Sequence, residues 1–448
     1  MASPSALPQA VAETLSRAAR EAGADAHDVL AVQSATTGIG VRGGALEDIE
    51  SSSGLDIGLR VFIGRRQAIV SGSDVSDTGL EALATRAVAM ARVAPEDPYA
   101  DLAEPEDLAQ SWADLDLLDT TTIEADVLKA RACEAEAAAL SVSGVRQAEG
   151  ASASATRSRF CLLTSNGFTG GWESSRHTVG VSAFAERDGQ MERDYDHHGQ
   201  RFLEDLPSPE HVGRTAGERA VARLGSRQMP SGTLPVIFDR RVADNLLGAF
   251  LSAISGPSIA RGTSFLKTRM GERLFPESFT IHDDPSRPRG LGSRPFDAEG
   301  IACSPLELVS EGVLNHWLLN IASARQLDLQ TTARAQRSVG GPPGVSSTNA
   351  WITPGDMSPG ALLRDTGEAL MVTEMFGPSF NMNTGDYSVG IAGFAVEGGE
   401  RTHPVSEVTI AGNLLDIFQG LTVADDLVFD GSVVSPTLRV RAMTIAGA

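Results

Sequence analysis

Residues 385–415, GDYSVGIAGFAVEGGERTHPVSEVTIAGNLL, constrain the fold of this chain more than any other segment. Glycine and other small residues are mixed there with residues that favour strands, and the pattern predicts strands at 387–396 and 405–410. Glycine is abundant throughout, at 46 of 448 residues, which favours turn-rich β structure over a helical bundle. The sequence therefore predicts a β-rich fold around this segment.

The length of the chain predicts two domains, because 448 residues are too many for one ordinary hydrophobic core. The connector GSRQMPSG at 225–232 is rich in residues that interrupt regular structure, and it marks the boundary. We expect an N-terminal α/β domain with hairpins and long helices at 1–225, and a β-rich C-terminal domain with long loops at 226–448. The predicted fold class is α+β.

Hydrophobic periodicity and turn residues predict the individual elements. Ser76 or Asp77 is suited to cap the helix at 77–92 and Ser208 the helix at 209–224, and Asp188-Gly189 is a strong two-residue hairpin turn. In the second domain a helix at 239–254 precedes many short strands, and the loop 326–347 has the length of a functional or mobile segment. The other predicted helices are 7–23, 77–92, 122–140 and 209–224. The other predicted strands are 28–34, 55–63, 67–73, 145–156, 159–164, 176–186, 190–194, 234–238, 279–282, 300–303, 306–309, 313–318, 348–352 and 370–373.

Charge and hydropathy narrow the partners that we expect. The net charge of −21 and the lack of a basic stripe argue against direct contact with nucleic acid, because phosphate contacts need clustered lysine and arginine. The N-terminal residues predict an amphipathic helix and not a signal peptide, and no apolar run approaches the ~20 residues that span a bilayer. Cys133, Cys161 and Cys303 are far apart and predict buried free thiols. We therefore expect a soluble cytoplasmic protein with no membrane partner.

The helix predicted at 239–254, DRRVADNLLGAFLSAI, contains no histidine, glutamate or cysteine. Its apolar residues, among them Val242 and Phe250, recur at helical spacing, which indicates packing rather than catalysis. The histidines do not form a metal-binding motif: His282-Asp283-Asp284 is typical of a charged turn, and His197-His198 of a polar strand end, with metal binding as the less favoured interpretation. The sequence also lacks a nucleophile elbow, a P-loop and a dinucleotide-binding fingerprint. We therefore expect no catalytic residue, metal ligand or cofactor in this chain.

Residues 375–387, MFGPSFNMNTGDY, lead into the glycine-rich segment and contain the candidate binding residues. Their polar side chains offer hydrogen bonds, and the glycines allow another backbone to approach closely. Two interpretations are open from these residues alone: a loop beside an open strand that receives an extended peptide, or a turn-rich hairpin connection. The candidate substrate-binding residues are Asn381, Asn383, Thr384, Gly385 and Asp386.

Long blocks of the sequence resemble the TldE/PmbA half of the TldD/PmbA metalloprotease family, which is also known as the modulators of DNA gyrase. The blocks include GLRVFIGRRQAIVSGSD, PFDAEGIACSPLELVSEGVLNHWLLNIASARQL and the segment from Gly385 onward, and the similarity extends over nearly the whole chain. In the protease half of that family, the helix that matches 239–254 carries HExxxH, and a cysteine near the C-terminus completes a zinc site. Here the helix lacks those residues, and 429–438 leads into the last strand without a cysteine.

The resemblance implies a subunit that holds no zinc itself. It implies either a zinc-bearing TldD-like partner in a heterodimer or a homodimer, and an extended peptide held in a cleft between two kinds of subunit, which favours peptide binding by 375–387. The expected function is that of a non-catalytic subunit of a heteromeric zinc metalloprotease that cleaves peptides and unfolded proteins. A free-standing homodimeric peptide-binding or adaptor protein is the alternative, and a hydrolase with an unrecognised metal site is a third possibility.

Overall fold

The computed structural model describes residues 6–448 and confirms the α+β class. The first half contains six long strands: β1 (Ala26–Arg42), β2 (Ala45–Ile63), β3 (Arg66–Gly72), β4 (Val145–Thr164), β5 (Thr169–Arg187) and β6 (Gln190–Gln200). They form one antiparallel sheet in the order β3-β2-β1-β4-β5-β6. The helices of this half are α1 (Ala6–Glu21), α2 (Asp77–Val93), α3 (Ala125–Leu140) and α4 (Pro209–Ala222), with a short 3-10 helix at Leu203–Asp205.

The four α-helices cover the two ends of one face of this sheet. Along β1, Val29 and Ala31 pack with residues of α1 and α2, whereas Ile39 and Val41 pack with residues of α3 and α4. These four side chains share a face because successive residues of a strand point to opposite sides. The first half therefore has two hydrophobic clusters on one face of a single sheet.

Local signals set where several of these elements begin and turn. Ser76 and Ser208 cap α2 and α4, since each hydroxyl accepts a hydrogen bond from a backbone N–H of the first turn at 3.2 Å. β5 and β6 join at Asp188 and Gly189, whose φ angles of 53° and 78° match the positive values that a type I′ turn requires. The predictions for these caps and for this hairpin are confirmed.

The strands of the first sheet are longer than the sequence predicts. The predicted strand 28–34 is part of the 17-residue β1, and the predicted strand 55–63 is only the last part of the 19-residue β2. Predicted strands 145–156 and 159–164 are one continuous strand, β4. The residues beyond the predicted bounds include serines and acids, which have little intrinsic preference for strands. They are in strands because they pair with residues of the neighbouring strand, β1 with β2 and β1 with β4.

The second half is built around a closed barrel of five strands: β7 (Gly232–Phe238), β14 (Ala369–Phe380), β15 (Asp386–Glu397), β16 (Glu400–Asn413) and β19 (Leu438–Ala446). β7 pairs in parallel with β14 and antiparallel with β19, and β16 pairs with both β15 and β19, which closes the ring. A second sheet consists of β10 (Val313–Leu314), β9 (Leu306–Ser310), β8 (Ile281–Asp283), β13 (Ala350–Ile352) and β18 (Val433–Val434). The short strands β11 (Ala335–Gln336), β12 (Gly344–Val345) and β17 (Leu421–Val423) complete this half. The domain bounds of 1–225 and 226–448 stay a prediction.

Helix α5 (Arg240–Ala253) supplies the centre of the second core. Phe250 on its buried face meets Phe275 edge-on at 5.3 Å and Phe418 at 6.0 Å between ring centroids. The prediction that the apolar stripe of this helix serves packing is confirmed. Within residues 6–448, none of the helices has both the length and the apolar character needed to span a bilayer. The remaining helices are α6 (Gly256–Ala260), α7 (Ile321–Gln326), α8 (Pro359–Thr366) and α9 (Leu414–Gln419).

The predictions for 282–284 and for 300–303 are wrong, and one buried ion pair explains the first of them. The sequence predicts a charged turn at 282–284, but Asp283 lies in β8 and is fully buried. Its carboxylate contacts the guanidinium of Arg334, which is also fully buried and anchors the long segment 326–347. A buried carboxylate is tolerated in a strand when such a partner compensates it. The predicted strand 300–303 makes isolated bridges only, and is not part of a sheet.

The two halves of the chain meet at a buried carboxylate. Asp28 on β1 contacts Arg60 on β2 and Arg337 of the second half, and all three side chains are at most 4% exposed. Burial alone would raise the pKa of Asp28, but the guanidinium groups of Arg337 and Arg60 hold it below its ordinary value. One buried contact of the junction is therefore an ionised aspartate shared by two arginines.

Candidate functional site at the start of helix α5 and the loop 381–386

Two arginines at the start of α5 are held by carboxylates from distant parts of the chain. Nη1 of Arg240 lies 2.8 Å from Asp430, and Arg241 makes a bidentate contact with Asp194 at 2.7 and 2.9 Å. Asp239 precedes both and caps the helix, since its carboxylate accepts a hydrogen bond from the backbone N–H of Arg241 at 3.1 Å. The first turn of α5 is therefore engaged in ion pairs and in capping.

The contact between Arg241 and Asp194 joins α5 to the first sheet. The Asp194 side chain on β6 is 2% exposed, and Arg223, the residue that follows α4, lies 3.7 Å from it. Arg223 also contacts Glu374 on β14, so the charges form a connected group. Burial would lower the pKa of Arg241, but its hydrogen bonds and charge interaction with Asp194 raise that pKa above the ordinary value. Both charges are compensated, so the ion pair is tolerated in partly buried surroundings and links α5 to β6.

Asp244 lies one turn further along α5, in partly buried surroundings. Burial raises the pKa of Asp244 to about 6, the nearby charge of Asp430 raises it further, and hydrogen bonds from Asn245 oppose the rise. The pair Asp244 and Asp430 is therefore the acidic part of the site, with Arg240 bound to one member of it. A carboxyl group in this position can take up a proton near pH 6.

Aromatic side chains adjoin this acidic group. The ring of Phe429, next to Asp430, lies 3.4 Å from the guanidinium of Arg287 and 5.5 Å from the ring of Trp351. Trp351 stacks on His282 at 4.9 Å, and Nε2 of His282 lies 2.9 Å from the hydroxyl of Thr353. His282 is therefore engaged in a stack and a hydrogen bond.

The structure brings the five predicted substrate-binding residues together in one exposed turn between β14 and β15. Thr384 donates to the carboxylate of Asp386 at 2.7 Å, and the carboxamide of Asn381 accepts the N–H of Asn383 at 2.9 Å. Asn413 donates to Asp386 at 3.2 Å and to the carbonyl of Thr384 at 3.0 Å. Hydrogen bonds from Thr384 and Asn413 hold the pKa of Asp386 below its ordinary value. Much of the polar chemistry predicted for substrate therefore stabilises the turn itself.

Gly385 is the buried member of this turn. Its φ angle is 79°, and a Cβ atom there would lie 3.4 Å from the ring of Phe265. The N–H of Phe265 donates to the carbonyl of Met382 at 2.8 Å, which ties the turn to the segment that follows α6. A side chain at position 385 would be strained in this left-handed conformation, so glycine is required.

The outer part of β14 leads into this turn and has an open edge. Residues 370–372 pair with β7, but within residues 6–448 the positions beyond Val372 pair only with β15. Phe376 in this stretch is 50% exposed. An extended chain could pair there, because the unpaired backbone groups of an edge strand accept another strand.

Known proteins match nearly the whole chain. Family models match it as PmbA/TldA metallopeptidase domain 1 at 27–91, the central domain at 116–224 and the C-terminal domain at 231–447. The Metalloprotease PmbA of Escherichia coli O157:H7 is 35% identical over 92% of this chain and 91% of its own length, and the Metalloprotease PmbA homolog of Haemophilus influenzae is 31% identical over 96% and 94%. The chain belongs to the PmbA/TldA metallopeptidase family.

Solved structures show that the PmbA/TldA fold described above recurs elsewhere. A Bacteroides thetaiotaomicron protein proposed to modulate DNA gyrase is 24% identical, with a TM-score of 0.91 over 98% of this chain and 99% of that protein. TldE from Thermococcus kodakarensis is 18% identical, with a TM-score of 0.87 over 98% and 100%. At these identities the likeness shows the fold. The family resemblance predicted from the sequence is confirmed.

A PmbA/TldA metallopeptidase implies a metal site, but the donor groups described here do not fit one. On the first turns of α5, the carboxylate of Asp239 caps the helix and Asp244 lies near the ion-paired Asp430. In the part of the chain that the structure describes, no group of three or more histidine, cysteine, aspartate or glutamate side chains is placed to hold a metal ion. Zinc in proteases is held by three such side chains with an open position.

Several residues that define the start of α5 and the turn at 381–386 were not singled out from the sequence. Asn413 lies inside the segment 385–415 and caps α9, so its type and position before a helix were a usable signal. Phe265 and Asp430 gave no signal, because each acts through a contact with a residue far away in the sequence.

Proposed function

We propose that this chain is the non-catalytic, TldE/PmbA-type subunit of a heteromeric TldD/TldE zinc metalloprotease that cleaves peptides and unfolded proteins. The observation that carries the proposal is the chemistry of α5, where Arg240 and Arg241 form ion pairs with Asp430 and Asp194. Arginine cannot bind a metal ion or act as a general base at neutral pH. The catalytic centre therefore belongs to a zinc-bearing partner.

The contribution of this subunit is the geometry of the substrate cleft. An extended peptide adds to the open edge of β14, where main-chain hydrogen bonds tolerate many sequences. The exposed turn with Asn381, Asn383, Thr384, Gly385 and Asp386 borders that edge. Holding the substrate in one orientation against the partner's catalytic groups accelerates cleavage, because it removes much of the entropic cost of bringing them together.

Reconstitution from separately purified subunits tests the proposal. We expect this chain alone to cleave no peptide, a TldD-like partner alone to cleave slowly, and the mixture to cleave an unstructured peptide rapidly. The measurement is the initial rate of cleavage against the concentration of this chain, which should saturate at a fixed stoichiometry. This chain alone, purified without an affinity tag and analysed for metal, should contain far less than one zinc per chain.

Two results would contradict the proposal. Equal rates for the partner with and without this chain would favour the free-standing adaptor, provided that the chain still binds the peptide. One tightly held zinc per chain, together with cleavage by this chain alone, would show that it is a hydrolase in its own right.

The double variant Asn381→Ala/Asn383→Ala is expected to weaken peptide cleavage by the reconstituted complex. Asn383 is exposed, and Asn381 contributes one hydrogen bond within the turn, so the loss of stability should not exceed about 1 kcal/mol. Cleavage rates at several peptide concentrations and melting temperatures measure the two effects. Asn383→Ala alone is the control, since it leaves the turn bond of Asn381 in place. If the double variant cleaves normally, the turn is only a connection between β14 and β15.

A further inference from the structure

A second open edge lies on the first sheet, far along the chain from β14. β2 pairs with β1 over nearly its whole length, but β3 covers only the positions Ile57–Ile63. Along 45–54 the side of β2 away from β1 has no neighbouring strand within residues 6–448, and all ten residues are exposed. Backbone N–H and C=O groups of alternate residues therefore point into solvent. Natural proteins rarely leave so long an edge open, because it pairs readily with other chains.

This edge is held in place at both ends. At the tip of the β1–β2 hairpin, the N–H groups of Gly43 and Gly44 each donate to the carboxylate of Glu136 at 2.7 Å. Glu136 belongs to α3 and is 2% exposed, so these hydrogen bonds hold the hairpin tip against α3. At the other end β3 continues the sheet. A strand that is already ordered loses little conformational entropy when a second chain pairs with it.

The two faces of the edge differ in chemistry. Leu46 pairs with Val41 and Ile49 with Ile39, so both lie on the face that α3 covers nearby, yet they are 44% and 56% exposed. On the opposite face, Asp48 and Glu50 lie across from glycines of β1. The edge therefore presents an apolar pair on one face and a carboxylate pair on the other.

We propose that residues 45–54 of β2 bind an extended polypeptide segment by strand addition, with apolar side chains beside Leu46 and Ile49 and lysine or arginine beside Asp48 and Glu50. Opposite charges directly across a strand pair stabilise it, and like charges destabilise it. A second copy of this chain, paired in the antiparallel registers that set Asp48 and Glu50 against their own copies, would bring carboxylate against carboxylate, so it is disfavoured as an occupant in those registers. This site is separate from the edge of β14 and does not depend on the proposed protease role.

The test uses the full chain and a fluorescent nine-residue peptide that alternates valine and lysine. We expect saturable binding by fluorescence anisotropy. Methylating alternate backbone nitrogens of the peptide, which removes hydrogen-bond donors and keeps every charge, should abolish it. The variant Asp48→Lys/Glu50→Lys should bind the unmethylated peptide at least roughly tenfold more weakly. A peptide that alternates valine and glutamate should not bind.

Glu106→Lys/Asp107→Lys is the matched control, because it makes the same change of net charge at two adjacent exposed acids outside any strand. It should bind the valine–lysine peptide like the unaltered chain, and melting temperatures should show that both variants are folded. Any of three results overturns the proposal: no saturable binding, equal binding of the methylated peptide, or equal weakening by the control. Concentration-dependent dimerisation that Asp48→Lys/Glu50→Lys abolishes would identify a second copy as the occupant and overturn it as well.

Discussion

Replacing Phe250 with alanine is expected to lower the free energy of unfolding by about 3–5 kcal/mol, the usual cost of truncating a buried phenylalanine. Phe250 is 1% exposed and lies on the buried face of α5. Its ring makes edge-on contacts with Phe275 at 5.3 Å and Phe418 at 6.0 Å, so truncation removes two aromatic contacts and leaves a cavity. Urea unfolding followed by circular dichroism measures the change.

Ser252→Ala on the same helix is the matched control. Ser252 is exposed and its hydroxyl donates to the carbonyl of Gly248 within α5, so its replacement should change stability by no more than ~0.5 kcal/mol. If Phe250→Ala unfolds at the same urea concentration as the unaltered chain, α5 does not serve as a core helix. The interpretation of its apolar face as packing would then fail.

The elements that the sequence predicts well are those with short-range causes. Ser76, Ser208 and the pair Asp188-Gly189 act on backbone groups within a few residues, so their effects can be read from adjacent positions. The stripe of α5 is equally local, because helical spacing alone brings its apolar residues to one face. These features gave the two helix caps, the hairpin turn and the expectation that α5 is a packing helix.

Long-range pairing accounts for most of what the sequence does not predict. The exposed residues of β2 at 45–54 are in a strand because β1 pairs with them and Glu136 holds the hairpin tip, and neither cause is visible in their own composition. The closure of the barrel by β16 and β19 is likewise a contact between separate segments. Sequence periodicity cannot specify which strands become neighbours.

The candidate site shows the same division. The sequence grouped Asn381, Asn383, Thr384, Gly385 and Asp386, and they do lie in one turn. It could not show that Thr384 and Asn413 would bind Asp386, because that depends on where β16 ends. The ion pairs of Arg240 and Arg241 join residues far apart in the chain. The sequence shows that the zinc motif is missing from this helix, but it does not show that ion pairs with Asp430 and Asp194 are formed there.

Replacing Asp28 with alanine is expected to destabilise the chain by about 3–5 kcal/mol, because it leaves Arg60 and Arg337 buried without their carboxylate. Glu204→Ala is the matched control. Glu204 also faces an arginine of the other half, Arg289, at 2.9 Å, but its side chain is 70% exposed. Exposed ion pairs contribute about 1 kcal/mol or less, so this control should scarcely change the urea midpoint.

The dependence on pH separates the charge of Asp28 from its packing. Because Arg337 and Arg60 hold the pKa of Asp28 below its ordinary value of 3.8, its contribution to stability is present above that value and is lost as the pH falls through the folded-state pKa. The difference in unfolding free energy between the unaltered chain and Asp28→Ala should therefore be largest near pH 7 and should narrow below pH ~3.8. A difference that stays constant as the pH falls well below ~3.8 would mean that lost packing causes it. A difference in unfolding free energy below ~1 kcal/mol at pH 7 would mean that Asp28 contributes no more than an exposed ion pair does. The buried ion pair would then not be what stabilises this part of the junction.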